Sequence, residues 1–281
     1  MGILVNPELL PRNCGETAVV LKEMDSANDT SFLQEVSIHY AFRKHRNFVK
    51  LIGYCVSPKT IVLRYYSLGS LDNLIFNGDH ALAIKIQYDF HLAFSLAVDI
   101  SSGLSYMHSS GYVHCDMKPL NILLDKDENG QLYALLTDFG ITRVLFEAEV
   151  VSEFVVSKDR GLSPQYAAPE AWKSMNQRQQ RMGRSDLKYV DVYAFGIILY
   201  ELVGRKRAWT GRPIADIKIA VLAGERPDIH SLTFPMQTHE IWVDFKLAIL
   251  RSWEKDITKR PTMNDLATLM VSIQKVVKSW V

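Results

Sequence analysis

With 281 residues, the chain is long enough for one large domain or two modest lobes around a substantial core. Its composition is that of an ordinary globular protein, 48% hydrophobic and 22% charged, and 32 basic against 31 acidic side chains leave a formal charge of +1. That balance excludes binding to nucleic acid or to an anionic membrane through bulk charge. The cysteines Cys14, Cys55 and Cys115 are scattered and odd in number, which argues against a disulfide framework or a metal-ligand pattern and suits a cytosolic setting.

The opening MGILVNP has no basic n-region, and Asn6 stands where a myristoylation signal wants a hydroxyl, so no targeting signal is expected. Residues 16 to 22 (ETAVVLK) and 60 to 65 (TIVLRY) are β-branched and predict strands. Between them a helix is predicted from Ser31, which forms a capping box with Gln34 and is followed by Phe32, Val36, His39 and Tyr40 at helical spacing. Tyr66 to Ser70 (YSLGS) reads as a linker, dividing a strand-rich part at 1–66 from a mostly helical part at 67–281. Helical periodicity recurs at 91–108, 191–203, 214–223, 241–253 and 263–277. The longest apolar run, Val190 to Val203, carries Asp191 and Glu201 and is too short to span a bilayer, so it predicts a buried helix.

The chemistry concentrates in the middle. Ile122-Leu123-Leu124 and Leu132 to Leu136 flank Asp127-Glu128-Asn129-Gly130, and Asn-Gly between apolar runs predicts a hairpin closed by a type I′ turn. That register would set Asn121 opposite Asp138 at the open end. An amide oxygen beside a carboxylate suits a hard, oxygen-seeking cation, magnesium if phosphates complete its shell. Asp116 and Lys118 lie just before this pair.

His114-Cys115-Asp116-Met117-Lys118-Pro119-Leu120-Asn121, Asp138-Phe139-Gly140, Ala168-Pro169-Glu170, Asp191 to Gly196 (DVYAFG), and Trp253 with Arg260-Pro261-Thr262 stand in the order found in protein kinases, which the chain resembles from Lys22 to its C-terminus. Each tripeptide alone is a weak signal; their common order is a strong one. The resemblance implies an α+β, two-lobed kinase fold, with a small antiparallel β lobe holding one helix and a larger, mostly helical lobe. It implies ATP and magnesium as cofactors and a protein hydroxyl as acceptor. Asp116 would orient and accept the proton of the substrate hydroxyl, Lys118 would neutralise the transferring phosphate, and Asn121 and Asp138 would hold magnesium. Lys22 would contact the nucleotide phosphates and pair with Glu35. The backbone of Arg64 and Tyr66 would meet adenine, with Leu63 as gatekeeper and Leu123 as a further nucleotide contact.

By the same resemblance, Arg260 pairs with Glu170, His114 packs on Phe139, and Asp191 is a buried hydrogen-bonding residue. Lys118 and Ser163 are the serine/threonine signature, while HRNFVKLIGYC (45–55) and LGSLDNL (68–74) lean toward the tyrosine-kinase-like group that includes receptor-like kinases. The chain would then be cytoplasmic or the intracellular part of a larger protein. Most members carry arginine at Cys115, where it grips a phosphate on the activation segment. A thiol offers no such charge, so a kinase not switched by phosphorylation at Ser152 or Ser157 is expected, its segment held by packing through the apolar Glu149 to Ser157. Glycines at Gly2 and Gly15 do not make a full phosphate-covering loop, so the first strand is expected to be absent. Val20 and His39 replace smaller and apolar residues of the family pattern. Those departures leave three readings: a serine/threonine kinase, a pseudokinase or kinase fragment acting as a scaffold, and a tyrosine-directed kinase.

Overall fold

The structure, a computed structural model, describes residues 2–4, 18–24, 29–76, 90–145, 163–176, 183–232 and 240–279. A four-stranded antiparallel sheet comes first, ordered β1 (Gly2–Leu4), β2 (Val19–Glu23), β4 (Lys59–Arg64), β3 (Leu51–Val56). β2 and β4 answer to the predicted strands at 16–22 and 60–65; residues 16 and 17 lie outside the described residues. β3 has no clear period-two signal in the sequence, because Gly53 interrupts it and its last three residues are exposed. Backbone pairing with β4 forms it all the same, across a register shift between Leu51 and Gly53.

The helix of this small lobe, α1 (Asp29–Phe42), begins two residues before the expected Ser31. Asp29 sits in its first turn, where a carboxylate favours the helix dipole, and forms an ion pair with Lys59. Gln34 reaches beyond the helix, its Nε2 donating to the carbonyl of Thr142 at 3.1 Å. Phe32 and Val36 enter a core shared with Ile61, Leu63, Tyr66 and Leu135, whereas Ile38 and Phe42 enter the main core of the larger lobe. The one helix therefore belongs to both. Tyr40, expected on its inward face, is 58% exposed.

The larger lobe is helical: α2 (Leu71–Phe76), α3 (Phe90–Ser109), α4 (Pro169–Asn176), α5 (Lys188–Gly204), α6 (Ile214–Ala223), α7 (Glu240–Ser252) and α8 (Met263–Lys278). Every residue of α5 from Val190 to Leu202 is buried, so its apolar run is apolar on all sides because neighbours surround it. Among the described residues no helix is long and apolar enough to cross a membrane. At Gly196 a Cβ would come 2.7 Å from the Cβ of Ser252, so α7 approaches α5 closely only because that position has no side chain.

Two short two-stranded antiparallel sheets complete this lobe. β5 (Tyr112–Val113) pairs with β8 (Arg143–Val144), and β6 (Ile122–Lys126) pairs with β7 (Leu132–Leu136). The second is the predicted hairpin in a different register: Ile122 faces Leu136 and Lys126 faces Leu132. Gly130 has φ +74°, but Asn129 is not among the positive-φ residues, so the turn is not type I′. The side chain of Asp127 takes the N–H groups of Asn129 and Gln131, both at 2.9 Å, and this five-residue turn shifts the pairing by one. Asn121 therefore receives Thr137, whose N–H bonds its carbonyl at 3.1 Å, and Asp138 lies one residue beyond.

Arg260 clamps the lower part of the lobe. It is buried, forks onto Glu170 at 2.5 and 3.0 Å, and donates to the carbonyls of Tyr189 and Glu254, each at 2.8 Å. Removing one partner of such a pair strands a buried charge. Arg260→Ala is expected to lower stability by about 3–5 kcal/mol, read as a lower urea midpoint with unchanged slope.

Candidate active site

The loop between β5 and β6 and the turn after β7 bring the chemical groups together. Asp191, fully buried in α5, accepts the backbone N–H groups of His114 and Cys115, both at 2.8 Å, and its Oδ2 lies 2.9 Å from Nε2 of His108. Those bonds hold Cys115 at φ +68°, a left-handed conformation that a non-glycine residue adopts at a cost. The chain then delivers Asp116, Lys118 and Asn121 to one place. Lys118 Nζ is 2.6 Å from Asp116 Oδ2, and Asn121 Nδ2 donates to the Asp116 carbonyl at 2.8 Å and to its Oδ2 at 3.1 Å. Ser163 joins them from the far side of the chain, its hydroxyl donating to Asp116 Oδ1 at 2.8 Å while Lys118 Nζ donates to it at 3.0 Å.

Asp138 reaches the site despite the shifted register. β7 ends at Leu136, and Asp138 takes φ +64°, so it leaves the ladder. Its Oδ1 lies 2.8 Å from Lys22 Nζ, which also reaches Glu35 Oε1 at 2.6 Å. Burial opposes the charge on Lys22, but the Glu35 and Asp138 carboxylates outweigh it and hold its pKa above the ordinary lysine value. Burial alone would raise Asp138; the Lys22 cation overcomes it and lowers that carboxyl below its usual range.

The residues named for adenine lie where β4 ends. Leu63 is buried, and the half-buried Val20 and Leu123 pack against the same small core as Leu63 and Tyr66. The N–H of Arg64 is taken by the Lys50 carbonyl at 3.0 Å, and the Tyr66 carbonyl by the N–H of Gly69 at 3.1 Å. The Arg64 side chain turns away, lying over the Tyr66 ring at 5.4 Å and 3.6 Å from Asp125.

His114 packs on Phe139 at 5.5 Å between ring centroids and bonds the Thr137 carbonyl at 2.9 Å, so it has the structural place expected of it. His39 also packs on Phe139, at 4.7 Å between centroids, with both ring nitrogens buried and Nε2 3.9 Å from Glu35 Oε1, beyond hydrogen-bond reach. Burial, and next the Lys22 cation, push its pKa down to about 3, against smaller opposing effects from Asp138 and the Val49 backbone. Cys115 lies in a small apolar cluster with Val113 and Leu187, against which Ile141 and Leu145 pack. Burial raises its thiol well above the ordinary value, so it is no activated nucleophile. Cys14, Gly15, Ser152 and Ser157, with the glycine-poor loop and the segment at 149–157, lie outside the described residues; Gly2–Leu4 pairs with β2 as an edge strand.

One group at the site has no local signature in the sequence. Asp72, Tyr166, Glu201 and Arg207 meet beneath Ser163, and only Glu201 gave a hint, as a carboxylate inside an apolar run that had to find a buried partner.

Residues 6–270 match the family of protein tyrosine and serine/threonine kinases, and the chain belongs to that family. Over 266 residues it is 32% identical to a protein of Acanthamoeba polyphaga mimivirus named as a serine/threonine-protein kinase/receptor, R831, covering 92% of this chain and 15% of that protein. It is 34% identical over 202 residues to the G-type lectin S-receptor-like serine/threonine-protein kinase LECRK2 of Oryza sativa subsp. japonica, covering 69% of this chain and 22% of the relative. With the human ankyrin repeat and protein kinase domain-containing protein 1 the identity is 27% over 245 residues, covering 86% of this chain and 29% of the relative. The chain thus spans less than a third of each of these proteins.

The neutral His39 makes the site acid-sensitive. Its folded pKa, about 3, lies below the ordinary 6.5, so protonation favours the unfolded chain. The stability tied to the neutral ring is complete above pH 6.5 and is lost as pH falls toward 3. His39→Leu is expected to lose less stability than the wild type on acidification, the gap widening by up to about 1.4 kcal/mol per pH unit, measured by denaturant unfolding between neutral and acid pH.

Proposed function

We propose that the chain is the catalytic part of a protein serine/threonine kinase, transferring the γ-phosphate of ATP to a hydroxyl of a protein. The observation that carries this reading is the Ser163 hydroxyl, which donates to Asp116 Oδ1 at 2.8 Å with Lys118 Nζ 3.0 Å away. A carboxylate that accepts a hydroxyl proton beside a fixed ammonium is the arrangement an incoming acceptor needs. Asp116 orients the acceptor hydroxyl and takes its proton, while Lys118 offsets charge on the group in transfer. Lys22, steadied by Glu35, binds the nucleotide phosphates. The backbone of Arg64 and Tyr66 meets the base, with Leu63 and Leu123 beside it.

Asn121 and Asp138 supply an amide and a carboxylate oxygen, a donor set that fits a hard divalent cation whose remaining ligands are phosphate oxygens and water. Magnesium bound there would draw charge from the phosphates. We assign the small lobe to residues 1–66 and the large lobe to 67–281, and place the chain in the tyrosine-kinase-like group on the strength of residues 45–55 and 68–74. Its site of action would be the cytoplasm, alone or as part of a larger protein.

Regulation follows from Cys115. The apolar cluster around it ties the catalytic loop to Ile141 and Leu145 without any phosphate. Ser157→Asp is accordingly expected to leave activity unchanged, and a severalfold rise would overturn this view of regulation. For the reaction itself, transfer of labelled phosphate from magnesium-ATP to histone, to casein and to the chain itself is expected in the wild type. Asp116→Asn should reduce it by about 10²–10⁴-fold, the contribution of a positioned general base. No transfer by the wild type would leave a scaffold role in its place, and phosphotyrosine among the products would redirect the acceptor class.

A further inference from the structure

Glu201 lies fully buried in the last turn of α5. Its Oε2 accepts the Tyr166 hydroxyl at 2.8 Å, and its Oε1 accepts the N–H of Ala208 at 2.9 Å. Arg207, the residue before Ala208, forks onto Asp72 of α2, with Nη1 to Oδ1 at 2.5 Å and Nη2 to Oδ2 at 2.9 Å. Its guanidinium also lies 3.7 Å over the ring of Phe76. Two parallel bonds and a ring face fix a planar group in orientation as well as in place, which distinguishes this pair from an ordinary surface ion pair.

From there the Arg207 charge acts on both the Tyr166 hydroxyl and the Glu201 carboxyl. The same loop makes a second grip, since Trp209 Nε1 donates to the Gln165 carbonyl at 3.2 Å. The segment so held, 163–166, begins with the serine that touches Asp116 and Lys118. Burial raises the Glu201 carboxyl to about 7; the Ala208 N–H, the Tyr166 hydroxyl and Arg207 pull it down, and Asp72 pushes it up. Arg207 is thus one of three groups that favour its charged form, after the Ala208 N–H and the Tyr166 hydroxyl.

We propose that Arg207, held by Asp72 and Phe76, is a positioning residue for the protein acceptor: its cation keeps the Glu201–Tyr166 bond formed, and through it the Ser163–Tyr166 segment against which the acceptor lies. This rests on the kinase reading above. Two devices could look alike in a simple deletion. In one, the Asp72–Arg207 pair is a tether between α2 and the loop after α5, and either polarity would serve. In the other, the cation itself is needed beside Glu201, and only one polarity works.

The test is steady-state transfer to histone and casein from magnesium-ATP by the wild type, Arg207→Ala, Arg207→Lys, Asp72→Asn and the double swap Asp72→Arg with Arg207→Asp, with thermal melting of each. Arg207→Ala is expected to raise KM for the acceptor about tenfold, the scale of one charge-assisted hydrogen bond, while kcat and KM for ATP stay near wild type. The acid limb of kcat/KM for the acceptor should move to higher pH, because Glu201 loses the cation that lowers its pKa. Arg207→Lys should fall between wild type and alanine. The double swap should not rescue, since an aspartate would then face Glu201. An unchanged acceptor KM and acid limb would overturn the proposal, as would rescue by the swap or an equal loss in kcat and both KM values. Should Arg207→Ala not fold, Arg207→Lys and Asp72→Asn carry the test, and wild-type acceptor KM in both would overturn it. An inactive wild type would sink the kinase reading and this inference with it, whereas an active wild type with indifferent variants would sink the inference alone.

Discussion

The buried carboxylate of Asp191 is the constraint on which the site depends. It sits in α5, the helix enclosed on all sides, and binds two consecutive backbone N–H groups, those of His114 and Cys115. Without such bonds nothing would compensate the left-handed backbone at Cys115, and the residues after it would lose their common direction. Asp116, Lys118 and Asn121 follow within a few residues, so the rigid core sets their positions directly. Burying a carboxylate is expensive, and here two of its three partners are main-chain donors that cannot move away, the third being the His108 ring, which makes the arrangement specific rather than merely stable.

The second organising feature is the chain of contacts from the small lobe to this loop. α1 places Glu35 against Lys22 and His39 against Phe139, one turn apart on the same face. Phe139 packs against both His39 and His114, so α1, the Asp138 turn and the catalytic loop share one aromatic joint. Gln34 adds a bond to the Thr142 carbonyl, and β8 pairs with β5, so the residues following Asp138 are fixed at both margins. The ionic contacts of Lys22 and the aromatic contacts of Phe139 are thereby coupled: moving α1 breaks both. An uncharged His39 suits this joint, since a second cation beside Lys22 would repel it.

Cys115 shows how a single substitution in a familiar pattern acquires meaning from its surroundings. Its thiol packs in one apolar cluster with Val113 and Leu187, against which Ile141 and Leu145 lie. The segment after Asp138 is drawn in by that packing and by backbone pairing with β5.

Much of this was legible in the sequence, and the misses have definite causes. Five helices of the larger lobe, α3 and α5 to α8, followed from periodicity, whereas the short α2 and α4 did not; Arg260 with Glu170, or Lys22 with Glu35, followed from motif order. The hairpin register was misjudged because Asn129-Gly130 carries a strong local preference that the Asp127 side chain overrides by bonding two backbone N–H groups. α1 starts at Asp29, two residues before Ser31, where the Asp29 carboxylate favours the helix dipole and pairs with Lys59 of β4. By itself, then, the sequence determined the family, the two-lobed α+β architecture and which residues carry the polar groups of the site, since those depend on residue type and spacing along one chain. Only the tertiary structure decided that Ser163 meets Asp116, that His39 is held without a hydrogen bond, and that Asp72, Tyr166, Glu201 and Arg207 form one cluster. Their partners lie tens of residues away, and pairing across such distances is set by how helices and loops pack, which no local pattern encodes.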